Sequence, residues 1–146
     1  MTGVTELIGA LAEELAGASS LAGCAVAVGY PAASAPLLSA PEIRVYLRSA
    51  EDQNKAMGGE LGRHNQSQEA VKGRVVLLSI GFSVFVPAAQ GGEALSQLAE
   101  RVFSHLLLDS DMNFAAVQWG GVTCDKPSGS LCTEITAELS AVIESV

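Results

Sequence analysis

Arg74-Val-Val-Leu-Leu-Ser-Ile-Gly-Phe-Ser-Val-Phe-Val-Pro87 is the stretch that decides the fold. Val76, Leu78, Ile80, Phe82, Val84 and Val86 recur at a period of two, so an extended chain places them on one face. Ser79, Gly81 and Ser83 fall on the other face, which is small rather than charged. A strand this long with one apolar face needs neighbouring strands and a second layer to cover it. Pro87 has no N–H to donate and is expected to stop the pairing.

Downstream, Gly91-Gly92 leads into a helix expected from Glu93 to Leu108. Leu95, Leu98, Ala99, Val102, Phe103 and Leu106 form its apolar side, and Gln97, Glu100, Arg101, Ser104 and His105 its polar side. Two strands follow, near Phe114 to Thr123 and from Leu131 to Val146. Upstream, Leu7, Ile8, Leu11 and Leu15 keep helical spacing over Thr5 to Ala18. Cys24 to Gly29 reads as a short strand, Pro31 to Ser39 as an irregular loop, and Glu42 to Arg48 as a half-buried strand. In that last strand Ile43, Val45 and Leu47 alternate with Arg44, Tyr46 and Arg48.

These elements predict a single α+β domain over residues 1–146. Its architecture is a two-layer sandwich, with a mainly antiparallel sheet of about five strands and two amphipathic helices on one face. The polar segment 49–73 interrupts the pattern. It reads either as a long loop or as a hairpin arm turning at Met57-Gly-Gly-Glu60.

The chain has 146 residues, of which 49% are hydrophobic, enough to build a core and to exclude wholesale disorder. Aromatics are only 5%, so that core must be aliphatic. Sixteen acidic residues against 8 basic ones give a charge of −8, which repels phosphate and argues against nucleic acid as a partner. No apolar run reaches the roughly 18 residues of a membrane-spanning helix. The N-terminus lacks the basic flank of a signal peptide, so an intracellular domain with reduced thiols is expected.

Motifs for chemistry are scarce. Gly81-Phe-Ser-Val-Phe85 lacks the second glycine of a nucleophile elbow, and Ser83 reads as a packing serine. No phosphate-binding glycine loop is present. Cys24, Cys124 and Cys132 have no metal-ligand spacing; the last two flank a turn-like stretch and can either face each other across a hairpin or stay as small reduced residues. His105 is expected on a solvated helix face, and His64 in the polar segment, neither with an orienting acid. Glu51-Asp52, Asp109-Ser-Asp111 and Glu134/Glu138 are the carboxylate pairs, all expected exposed; Asp109-Ser-Asp111 reads best as a helix exit and Asp125 as a turn residue. Trp119 beside Gly120-Gly121 is read as core, with ligand stacking the alternative. No catalytic, cofactor or metal residue is predicted. The donor-rich patch Arg63, His64 and Asn65, with Lys55 and Glu60, is the expected partner contact.

The element order resembles the tail terminator (tail-completion) proteins of phages and phage-tail-like particles. The residues that carry the resemblance are Arg74 to Pro87, Gly91 to Asp109, Ala116-Val-Gln-Trp-Gly-Gly-Val-Thr-Cys-Asp125 and the alternating Leu131 to Ile143. The likeness lies in layout rather than in a signature motif, and segment 49–73 is longer and more polar than the pattern requires. It implies a non-enzymatic protein without cofactors that forms a ring, a hexamer, on the last layer of the tail tube. Such a ring stops tube growth and meets sheath, neck or head proteins. It would assemble in the host cytoplasm and end in the particle. Alternatives are another small connector or baseplate component, or a small-ligand-binding α+β domain.

Overall fold

The computed structural model describes residues 3–29, 38–52, 60–63, 70–125 and 129–144. Along them run α1 (Val4–Gly17), β1 (Ala25–Val28), β2 (Glu42–Asp52), β3 (Glu60–Arg63), β4 (Ala70–Pro87), α2 (Gly91–Ser104), β5 (Ala116–Asp125) and β6 (Ser130–Glu144). The strands form one sheet in the order β1-β2-β4-β6-β5, with β3 also paired to β4. Only β1 and β2 run parallel; every other pairing is antiparallel. The two helices cover one face, giving the α+β sandwich expected.

The reason is visible in β4. Leu78, Ile80, Phe82, Val84 and Val86 are fully buried, with Val76 packed at their margin. Register continues the apolar row sideways. Phe82 stands opposite Val45 on β2 and Ile135 on β6, and Ile80 stands opposite Ala137. α1 covers β1 and β2 with Ile8, Leu11, Ala12 and Leu15, and α2 covers β4 and β6 with Leu95, Leu98, Ala99 and Val102. All belong to one apolar cluster. Each Val, Leu, Ile and Phe among them contributes ~1.5–3 kcal/mol by leaving water.

Two strand boundaries differ from the expectation, for a physical reason. β2 runs on to Asp52 and β4 starts at Ala70, because backbone hydrogen bonds to a neighbouring strand extend pairing through polar residues. A bulge between Leu47 and Ser49 shifts the alternation, so that Ala50 stands opposite Leu78 and Glu51 opposite Leu77. Segment 49–73 therefore holds strand at both ends and a further strand inside it. Glu60 belongs to β3, which pairs with β4 on either side of residues 64–69; the rest of the expected turn, Met57 to Gly59, lies outside the described residues.

Pro87 is the last residue of β4, opposite Ser130, and the pairing stops there as expected. Gly91, at φ +84°, then starts α2 after a short 3-10 turn at Ala88–Gln90. α2 ends as an α-helix at Ser104, and His105–Asp109 form a wider π turn before Ser110 leaves in extended conformation. Asp109-Ser-Asp111 is thus the helix exit, as read.

Candidate functional site

Three places bring polar or aromatic side chains together. The first lies on the sheet face away from the helices. Tyr46 lies between Arg44 and Arg48 in that row of β2, and it stands opposite Gly81 of β4. The ring is buried because it lies over the glycine, where a Cβ on Gly81 would overlap it. The phenol is hydrogen-bonded to Ser83 Oγ at 3.0 Å and donates to Glu134 Oε2. Arg48 lies 3.2 Å from the other Glu134 oxygen and donates to Thr136 Oγ1 at 2.9 Å. Ser83 is a packing serine, as expected. Glu134 departs from expectation: it is half-buried inside this network rather than free in solvent. Glu51, Asp52, Asp109, Asp111 and Glu138 are exposed as expected.

The second place joins the helices. Glu14 of α1 accepts from Ser110 Oγ at 3.0 Å and from the Asp111 N–H at 2.6 Å. His105 Nε2 sits 3.3 Å from Glu14 Oε2, at ion-pair distance but not aligned for a hydrogen bond. His105 is therefore buried beside an acid, not solvated on a polar helix face. It follows Val102 by three residues and Leu98 by seven, so regular helical spacing carries it onto the buried side of α2. Through Ser110, Asp111 and His105, Glu14 ties the exit of α2 to α1.

The third place is the outer edge of β5. Trp119 is 37% exposed rather than core, and its ring centroid lies 6.0 Å from that of Phe103 on α2. Its Nε1–H donates to Thr133 Oγ1 at 3.1 Å. The Thr133 hydroxyl faces the carbonyls of Gly120 and Gly121, each at 3.1 Å. Those two glycines form the bulge between Trp119 and Val122. Beyond it Val122 is 56% exposed.

Register settles the cysteine question. Thr123 stands opposite Cys132, and Cys124 opposite Leu131, so the two cysteines point to opposite faces and are not joined. Burial pushes the Cys24 thiol above its usual range, with Arg101 acting weakly the other way.

Of the expected partner contacts, Glu60 and Arg63 are placed on the backbone of β3, opposite Lys72 and Ala70. Lys55, His64 and Asn65 lie outside the described residues. Among the described residues no cluster of three or more His, Cys, Asp or Glu is arranged to hold a metal, and no helix is long and apolar enough to cross a membrane. The chain matches no protein-family model and no curated protein.

Proposed function

We propose that this chain is a structural, non-enzymatic component that closes into a ring of its own copies, in the manner of phage tail terminators. The ring would cap a tail tube, end its growth and offer a face to neck or head proteins.

The observation that carries this reading is the open edge of β5. The strand is last in the sheet, and from Ala116 to Cys124 it contains no charged residue, proline or lysine. An edge left that bare is a template for another chain. The opposite side of the sheet supports a different partner surface. β1 is short and pairs with residues 42–45 of β2, so it runs along only the first part of that strand among the described residues. Two unlike edges favour head-to-tail contact, and head-to-tail contact yields rings when the rotation closes. Strand addition supplies the main-chain hydrogen bonds for such a joint.

Trp119 favours assembly over ligand binding. Its ring rests on Phe103 and its only donor is committed to Thr133. Replacing Val122 by Lys tests the reading: the domain keeps its fold while self-association is lost. Unchanged association of V122K would contradict it.

A further inference from the structure

We propose that the end of α2 docks a peptide segment of another protein, one that carries an aliphatic side chain next to a lysine or arginine. A groove of about 270 Å³ opens where the π turn His105–Asp109 meets the start of β5. Leu107, Leu108, Met112, Phe114 and Val117 line it together with Ser110, Asp111 and Asn113, and most of its surface is polar. Leu107 is 53% exposed and Leu108 80%, although both sit next to the fully packed end of α2 and neither is needed by the core. The volume is below that of a typical small-molecule site of ~300–1,000 Å³, and suits one or two inserted side chains.

The charge at this place decides the partner. A helix C-terminus carries the negative pole of the backbone dipoles. Asp109 and Asp111 are exposed beside it, and no cation lies within ion-pair distance of either among the described residues. Glu14 stands directly behind, held by Ser110 and the Asp111 amide. A second copy placed symmetrically would bring acid to acid, and the chain as a whole is at −8. A basic side chain instead meets the carboxylates while its aliphatic neighbour covers Leu107 and Leu108. This surface shares Val117 with β5 but rests on Leu107, Leu108 and the two aspartates rather than on the strand edge, so the inference stands whether or not the ring reading does.

The probe is a short Gly/Ser peptide with one Leu-Lys-Leu triplet, compared with a Leu-Glu-Leu twin, followed by backbone amide NMR on the whole chain. The lysine peptide should shift amides confined to residues 106–117, and the glutamate twin should not. D109N/D111N and Leu108→Ser should each weaken binding by roughly threefold to tenfold, the scale of exposed ion pairs and a partly buried leucine. E51Q/D52N, at the far end of β2, should leave it unchanged. The proposal is overturned if the twin binds equally or if the shifts fall elsewhere. It is equally overturned if no shift appears, or if the same amides move on concentrating the protein alone, which would make the groove a contact between copies.

Discussion

The Trp119 indole N–H donates to the Thr133 hydroxyl across the β5–β6 ladder at 3.1 Å. That hydroxyl is itself buried and lies against both carbonyls of the Gly120-Gly121 bulge. One threonine thus sets the indole's orientation and the course of the edge strand. Thr133→Val keeps the shape and removes every one of these bonds. It should cost ~1–3 kcal/mol, the penalty for unsatisfied buried polar groups. Because Trp119 is the only tryptophan, its emission should also change, and denaturant unfolding followed by that emission checks both effects.

Tyr46 and Gly81 make a second dependent pair. Tyr46→Phe strips the phenol from Ser83 and Glu134 and should destabilise by ~1–3 kcal/mol. Gly81→Val forces the ring off its site and should cost a similar ~1–3 kcal/mol, as overpacking does. Tyr46→Ala removes the ring that a Cβ at Gly81 would meet, so Gly81→Val should cost well less in the Tyr46→Ala background than in the natural chain. Simple additivity in thermal or urea unfolding would mean the ring does not depend on the glycine.

Glu14 holds the exit of α2 by three contacts, to Ser110, Asp111 and His105. Glu14→Ala should release the π turn while the sheet persists. Hydrogen exchange at the Asp111 amide should then accelerate, and amides of β4 should be unaffected.

The three thiols should differ in reactivity. Cys124 is exposed, whereas Cys24 is partly covered and its thiol is held protonated by burial. Alkylation at neutral pH should mark Cys124 first and Cys24 last, with Cys24 catching up as pH rises. A raised folded-state pKa means more protons are bound in the native state, so this group's contribution to stability is present at neutral pH and is lost as pH climbs through that raised value. Mass mapping after timed alkylation reads the order.

Much of this fold is legible from periodicity. The β4 row from Val76 to Val86 and the stripes of both helices lie where a period of two or of 3.6 puts them, since burial of one face imposes the pattern. What escapes is whatever depends on a partner far along the chain. Tyr46 reads as a polar-side residue until it is known that Gly81 lies beneath it. His105 reads as solvated from its polarity alone, although its spacing from Leu98 and Val102 puts it on the buried side; the acid it meets there, Glu14, lies far along the chain. Trp119 reads as core because a lone tryptophan in a strand usually is; its place on the last strand follows from sheet order, which composition does not encode. The Cys124 and Cys132 faces follow from a one-residue difference in register across β5 and β6.

The central claim is that the bare β5 edge joins copies into a closed ring. Sedimentation velocity over a wide concentration range tests it most directly, run on the natural chain and on V122K. The account predicts one discrete species of six times the 15.0 kDa chain mass for the natural protein, and only the 15.0 kDa monomer for V122K. A natural chain that stays monomeric throughout, or that grows without a limiting size, would contradict it.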